Sequence, residues 1–504
     1  MTNSQSPNDC MDKENKMLSL TSYLSSMRNV IFRRTLNSTT LSTPSDNGSL
    51  TLVLGNPSAD LDSFVSALTL SYFYNLRGNT GSSSKTLYVP ILNLPAVRAN
   101  DLWRLRPEFG VAARLATGGS LDRISQGSDV SEYSMTEILE RLITIADIKS
   151  DKDSGLCSYF KDATESKAQL SSTDEKQNLF LTDHNSPSIP GLSDDAINSR
   201  FEVVGCIDHH VDENYVAQEA NPRIITTGIG SCTSLVVKHL RDLGMWPSPA
   251  QAKAGEWSTS RLQEIAKFAL APILIDTWNL KATGDKCSDT DREVVKFLES
   301  LLTHDSGVQQ SSPRSPEQTP WDRDTFHCII ATAKANSLSL LTMQETFDRD
   351  YKAWHEPTKS SPTDSSSASN KVNIGISSLV KPLSWLIKHA GGIEKFLDEI
   401  AAFATADERK LGVYSLLTRA GDGKEVVILA FDERMKGLLD EFESKAGELQ
   451  LAPWNEDEDL IKALRRRFEG SPNRKGNWRI WWMGDTSKSR KQVGPLLRGA
   501  ARNA

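Results

Sequence analysis

The sequence predicts an α/β protein of two domains: a larger N-terminal one built on a mainly parallel, doubly wound sheet, followed by a smaller α/β domain. Three observations carry this. Apolar, β-branched runs alternate with helical patterns over the first part of the chain, an order that calls for parallel strands with helices on both faces. The 504 residues exceed what one ordinary core supports. A tract dense in Ser, Pro and Gln, "HDSGVQQSSPRSPEQTP" from His304 to Pro320, then stands between two regions with elements of their own.

Residues 1–47 read as a polar leader holding a short apolar helix around "MLSLTSYLSSM". The first domain spans 48–303. Its strand-like runs are "LTLVLG" at Leu50, "TLYVPIL" at Thr86, "LFLTDHN" at Leu179, "FEVVGCIDHH" at Phe201 and "APILIDT" at Ala271. Helical patterns lie between them, as in "SFVSALTLSYFYNL" from Ser63 and "CTSLVVKHLRDLG" from Cys232. Residues 304–320 form the expected linker, and 321–504 the second domain, with "EVVILAFDER" and "NWRIWWMG" as strands and Glu356 to Lys371 as an inserted polar loop.

Composition narrows the classes. A hydrophobic fraction of 38%, 24% charged residues and a mean hydropathy of -0.40 describe a globular chain without an apolar run long enough to span a bilayer; "FALAPILI" is far too short. The polar, acid-bearing N-terminus lacks the apolar core of a signal peptide, so a cytoplasmic location is expected. Six cysteines without CxxC spacing exclude a zinc ribbon and a secreted disulfide scaffold. The net charge of -7 is uneven: Ile461 to Ala504 holds twelve basic and two acidic residues, so this tail carries +10 and the rest -17. Such a segment attracts polyanions. Nucleic acid is disfavoured as that polyanion, because the aromatics of "WRIWWMG" follow a core-strand pattern rather than a base-stacking one.

The polar residues at the predicted strand ends are what point to chemistry. "GNPSADLDS" places Asn56, Asp60 and Asp62 after the first strand; "LTDHN" places Asp183, His184 and Asn185; "CIDHH" gives Asp208, His209 and His210; "LIDTWN" gives Asp276. Ligands of such sheets collect beyond the carboxyl ends of the strands. Carboxylates gathered that closely stay ionised only with cations between them. Acid-rich sets with one or two imidazoles suit Mn²⁺ or Mg²⁺ better than structural zinc, and two ions sharing a carboxylate are expected. Taken singly, Asp60 or Asp276 reads equally well as a helix N-cap, and His184 as an orienting neighbour. The set gains its specificity from order.

That ordered set, GN-x-x-ADLDS, TDHN, IDHH and IDT, resembles the DHH phosphoesterase superfamily. "NIGISSLVKPLSWL" (Asn373 to Leu386) and "SRKQVGPLL" (Ser489 to Leu497) resemble the DHHA2 C-terminal domain shared by family II inorganic pyrophosphatases, prune proteins and fungal exopolyphosphatases. The resemblance implies that Asp60 binds one metal, Asp62 the other, and Asp183 bridges them, with His209 and Asp276 completing the second site. His210 then faces the substrate phosphate. Family II pyrophosphatases have a histidine ligand where this chain has Asn56; exopolyphosphatases and prune proteins resemble this chain in having Asn there, so the resemblance implies Asn56 as the ligand at that position. Arg490 and Lys491 match a phosphate-gripping pair, and Lys381 and Lys281 are further electrophilic candidates. Gly230 to Thr233, at a helix start, offers backbone N–H groups either to phosphate or to N-capping.

The expected activity is therefore a metal-dependent exopolyphosphatase, removing terminal orthophosphate from linear inorganic polyphosphate. A prune-like hydrolase of short polyphosphates or nucleotide phosphates is the alternative, and a polyphosphate-binding module without turnover the reading from another class.

Overall fold

The computed structural model describes residues 17–32, 49–77, 86–118, 137–152, 154–161, 176–253, 257–302, 321–358, 371–435, 437–468 and 477–504. The expected linker 304–320, most of the inserted loop after Glu356, and much of the leader lie outside the described residues. The chain divides into two compact units, Met1–Lys334 and Ala335–Ala504.

Five parallel strands form the first unit's sheet: β1 (Leu50–Leu54), β2 (Leu87–Ile91), β3 (Gln177–Thr182), β4 (Phe201–Asp208) and β5 (Arg223–Ile225), in the order β2-β1-β3-β4-β5. From β1 the chain steps outward to β2 on one side, then returns to build β3, β4 and β5 on the other. Right-handed crossovers running in opposite directions put their helices on opposite faces, which is what double winding means. The reversal lies between the carboxyl ends of β1 and β3, where open α/β sheets keep their ligands. Both central strands are almost wholly buried, as parallel strands covered on two faces must be.

The longer helices are numbered in chain order. α1 (Leu20–Phe32) belongs to the first unit's core through Leu20, Tyr23, Leu24, Met27 and Ile31, each such side chain contributing about 1.5–3 kcal/mol on burial. Its first N–H is held by the buried Glu264 carboxylate (2.9 Å). α2 (Leu61–Arg77) follows β1 directly, and α3 (Pro107–Ala116), α4 (Cys232–Asp242), α5 (Thr259–Asp276) and α6 (Asp289–Leu302) complete the main helices of the unit. The tight turn into α2 needs Gly55, where a Cβ would stand 2.7 Å from that of Ser63.

Two sequence expectations change here. "APILIDT" is no strand: it ends α5, an 18-residue helix buried at every position from Phe268 to Leu274. An eight-residue apolar run has no period of its own when the helix is apolar all round, and only the length of the surrounding pattern tells the two apart. The unit also extends past the boundary expected at residue 320. α7 (Arg323–Asn336) sets Phe326, Ile329 and Ile330 into the first unit's core.

In the second unit, β6 (Tyr351–Pro357), β7 (Lys371–Ser378), β8 (Val413–Ala420), β9 (Gly423–Ala430), β10 (Leu451–Pro453) and β11 (Trp478–Met483) form a mixed sheet ordered β10-β11-β9-β8-β7-β6, parallel only between β7 and β8. Along β9, Val427 and Leu429 enter one core cluster while Val426 and Ile428 enter another, so the sheet is covered on both faces. α9 (Ile393–Thr405) and α11 (Glu458–Phe468), with the shorter α8 (Leu383–Ala390), cover the first; α10 (Leu438–Lys445) and α12 (Arg490–Asn503) cover the second. No helix among the described residues is long and apolar enough to cross a membrane, and the five described cysteines form no disulfide.

Candidate metal centre

The site is assembled at the carboxyl ends of β1, β3 and β4 and at the end of α5. Asp183 follows β3 in the left-handed region (φ 62°), and Ala59, just before Asp60, shares that conformation (φ 44°). Asp tolerates it better than most residues; for Ala it is an uncommon and strained state. Both departures place a carboxylate where a regular strand exit would not.

Asp183 is the centre of the group. Its Oδ2 accepts hydrogen bonds from Asn56 Nδ2 and Ser63 Oγ, each at 2.6 Å. Its Oδ1 lies 3.1 Å from His209 Nε2 and 3.9 Å from His210 Nδ1. One ligand atom each from Asp183, His209 and His210 fits within 4.8 Å. His209 Nδ1 donates to the Ile229 carbonyl (3.0 Å), because a carbonyl can only accept. With Nδ1 tied there, the ring turns Nε2 to Asp183 Oδ1, and to Asp62 Oδ2 3.9 Å away. Nε2 can bond these carboxylates through a proton or give its lone pair to a cation among them, and this gathering of buried acids and imidazoles fits a divalent metal. Burial raises the Asp183 carboxyl from 3.8 to about 7, aided by the charges of Asp62 and Asp60 and opposed by the His209 bond. Asp276, half-buried at the end of α5, is likewise pushed well up by desolvation and then by Asp62.

Each remaining expected residue has a definite place. Asp60 takes the Ser63 N–H at its Oδ1 (3.0 Å) and caps α2. Asp62 is buried and accepts from Ser231 Oγ (2.7 Å), Cys232 N (2.7 Å), Thr233 N (2.9 Å) and Thr233 Oγ1 (2.7 Å). His184 donates Nδ1 to the Thr182 carbonyl (3.0 Å) and stands outside the cluster. In the second unit Arg490 pairs with the Asp350 carboxylate (2.9 Å) and carbonyl (2.8 Å), Lys491 is exposed, and Lys381 sits 5.8 Å from the Trp385 ring centre. Lys281 is exposed in the first unit.

Asn56, expected as a ligand, has its amide oxygen on the Ala59 N–H (3.1 Å) and its amide nitrogen on Asp183. Turning the amide over would set N–H against N–H and oxygen against carboxylate, so in this arrangement the amide donates to Asp183. Gly230 to Thr233 is not open to phosphate, since its four N–H groups are taken by Asp291 and Asp62. Nor do the described residues of the basic tail form an open positive track. Eight of its twelve cations are ion-paired: Lys462 with Glu458 and Asp459, Arg466 with Glu394, Arg467 with Asp398, Arg479 with Asp440 and Glu443, Lys488 with Glu448, Arg490 with Asp350, and Arg498 and Arg502 with Glu356.

The residue that site reasoning from sequence passed over is Asp208. Fully buried, it accepts from the His209 N–H (2.8 Å), His210 Nδ1 (2.7 Å) and Asn185 Nδ2 (2.6 Å). Burial alone would raise its carboxyl, but the charge and hydrogen bond of His210, with His209 and Asn185, outweigh that and hold it well below the ordinary range. With Nδ1 tied to Asp208, His210 turns Nε2 away from this anchor, on a side chain 26% exposed. Its signal was present in the sequence, as the acid immediately before the two histidines.

Residues 51–273 match the DHH family N-terminal domain, and residues 330–500 the DHHA2 domain. A Schizosaccharomyces pombe protein named "Putative exopolyphosphatase" is 28% identical over 458 residues, covering 90% of this chain and 92% of that protein. Among solved structures, a Methanococcus jannaschii "putative family II inorganic pyrophosphatase" covers 90% of this chain and 100% of its own at 16% identity, with a TM-score of 0.46. An exopolyphosphatase-related protein from Bacteroides fragilis covers 96% of each chain at 12% identity, with a TM-score of 0.30. The two domain matches, in this order along the chain, make it a member of the DHH phosphoesterase superfamily carrying a C-terminal DHHA2 domain.

Proposed function

We propose that the protein is a divalent-metal-dependent exopolyphosphatase that hydrolyses the terminal phosphoanhydride of linear inorganic polyphosphate, releasing orthophosphate and a chain one phosphate shorter. The observation that carries the reading is the His209 ring, tied to Ile229 at Nδ1 and aimed with Nε2 at the buried carboxylates of Asp183 and Asp62. Family membership and the S. pombe relative's name support the substrate class.

Asp60, Asp62, Asp183, His209 and Asp276 would hold two ions, Mn²⁺ or Mg²⁺, with Asp183 shared. Ions held there supply an activated water and a positive field for the phosphoryl oxygens. Asn56 and Ser63 fix the Asp183 carboxylate by gripping Oδ2, which leaves Oδ1 towards the cluster. His210, its Nδ1–H held by Asp208, would present Nε2 to the substrate phosphate and donate to it when that nitrogen also carries a proton. Arg490, Lys491 and Lys381 of the DHHA2 unit are assigned to phosphate binding, Arg for bidentate contact and Lys as a point charge.

The ion-paired arginines of the second unit favour a second reading, a prune-like preference for short polyphosphates or nucleotide phosphates, because eight of the basic tail's cations already face carboxylates. Orthophosphate release with Mn²⁺ or Mg²⁺ separates the two, comparing long polyphosphate, tripolyphosphate and pyrophosphate at matched phosphate concentration. Steady shortening of long chains with pyrophosphate left intact is expected. Turnover confined to short substrates would establish the second reading, and polyphosphate binding without release from any substrate would overturn both hydrolase readings.

A further inference from the structure

We propose that Asp291, which touches none of the expected metal ligands, is the positioning residue that sets the metal centre's geometry through the loop Gly228–Ser234. The proposal rests on the reading that the centre binds divalent cations. That loop does two things for the site. Its Ile229 carbonyl fixes the tautomer and direction of His209, and its Ser231, Cys232 and Thr233 groups hold the Asp62 carboxylate from above.

A loop of small residues does not hold such a shape by itself. Asp291, near the start of α6, grips it independently of Asp62: Oδ2 accepts the Gly230 N–H (2.8 Å), and Oδ1 accepts Ser234 Oγ (2.6 Å) and the Ser231 N–H (3.4 Å). The carboxylate is itself pinned by Ser288, whose N–H and Oγ each reach Oδ2 at 2.7 Å. It is fully buried, so every one of these donors loses its partner if the carboxylate goes. Gly230 has no room to move: a Cβ there would meet the Lys286 carbonyl at 2.5 Å, Thr277 Cγ2 at 2.6 Å and Asp291 Oδ2 at 3.0 Å. Thr277 directly follows Asp276. One buried acid thus sets the loop that serves His209 and Asp62, against the segment that carries Asp276.

Mn²⁺ binding to the metal-stripped full-length protein tests this, followed by calorimetry and by the electron paramagnetic signal of free Mn²⁺, with a thermal melt for each variant. In Asp291→Asn the Ser234 hydroxyl can rotate to accept from the new amide, so the loop is loosened and the Mn²⁺ Kd should rise about 10-fold. In Asp291→Ala the Gly230 and Ser231 N–H groups are left without acceptors, and the rise should approach about 100-fold. Ser193→Ala, which removes a helix cap in the same unit, should lower the melt and leave the Kd unchanged. Asp291 variants that melt lower yet bind Mn²⁺ as the wild type does would overturn the positioning role. Should Asp291→Ala fail to fold, Ser234→Ala decides: a Kd raised severalfold supports the role and an unchanged one removes it. A wild-type protein that takes up no Mn²⁺ overturns the metal-centre reading and the proposal together, an outcome distinct from normal uptake by every variant.

Discussion

Replacing Asp208 with Asn removes one charge and changes almost no volume, which makes it a clean test of whether His210 works through its anchor. The wild-type carboxylate faces three donors and no acceptor: the His209 N–H, His210 Nδ1 and Asn185 Nδ2, all within 2.8 Å. An amide can satisfy only part of this set. With its oxygen towards the histidines, its NH₂ meets the NH₂ of Asn185. Asn185 cannot turn to receive it, because its own oxygen takes the Glu213 N–H (2.7 Å) and its nitrogen also serves the Val211 carbonyl (3.0 Å). With the amide reversed, an N–H points at His210 Nδ1 and drives the ring to the opposite tautomer. Either arrangement strands a buried donor, costing about 1–3 kcal/mol of stability, and ends a charge-assisted hydrogen bond of about 1.5–3 kcal/mol. If that bond serves the transition state, kcat/KM for phosphate release falls about 10- to 150-fold. The decisive comparison is a cycle with His210→Ala. Because Asp208 acts through His210, Asp208→Asn should add little to a protein already lacking the imidazole. A single variant within about threefold of wild type, or effects that multiply in the double variant, would refute the reasoning.

The other expectations use different readouts. Asn56→Asp sets a second carboxylate 2.6 Å from Asp183 Oδ2 where a donor stood, so Mn²⁺ affinity should fall about 10-fold or more; tighter binding would show that Asn56 is a ligand after all. Asp183 loses its proton near 3.8 when unfolded and near 7 when folded, so its contribution to metal-free stability is fully present below about pH 4 and is lost as pH rises through 7. Mn²⁺ displaces that proton, and the rise in melting temperature it produces should be larger at pH 8 than at pH 5; an equal or reversed difference would count against Asp183 as a ligand. Glu356→Gln breaks the pairing of a buried carboxylate with Arg498 and Arg502, and since both arginines reach solvent the cost should be about 1–3 kcal/mol. The two released charges should tighten long-chain polyphosphate binding and steepen its salt dependence, and an unchanged salt slope would refute this.

The readable part of the fold was the part whose period is local. β1 to β4 announce themselves as apolar runs, and three of them, β1, β3 and β4, are closed by polar clusters whose acids and imidazoles make up most of the candidate set. β5 is three residues long and has no measurable alternation. The end of α5 misled because an apolar run is silent about its conformation. The supporting shell was hidden for another reason. Ser63 and Asp183 are 120 residues apart, Asp62 and Thr233 171 apart, and Asp291 and Gly230 61 apart. Such pairings exist only once the sheet has gathered the strand ends, so nothing beside either partner in the sequence marks them.

Charge shows the same limit at larger scale, and there it bears on substrate choice. The segment from Ile461 onward carries +10, but the unit to which it belongs, Ala335–Ala504, holds 26 basic and 24 acidic residues and sums to only +2, leaving -9 on Met1–Lys334. The partners of the tail's cations come largely from outside the window in which the excess was counted: Glu356, Asp350, Glu394, Asp398, Asp440, Glu443 and Glu448. Exposed pairs of this kind contribute little to stability, about 0–1 kcal/mol each, but they cancel most of the field that a counted excess suggests. At these eight cations a long polyanion gains grip only by displacing a carboxylate, and added salt screens the contacts so gained. Long-chain selectivity, if the phosphate-release comparison finds it, must then come from repeated engagement at the metal centre rather than from an extended basic track, and shortening the substrate to a few phosphates should change KM by much less than an open track of twelve cations would require.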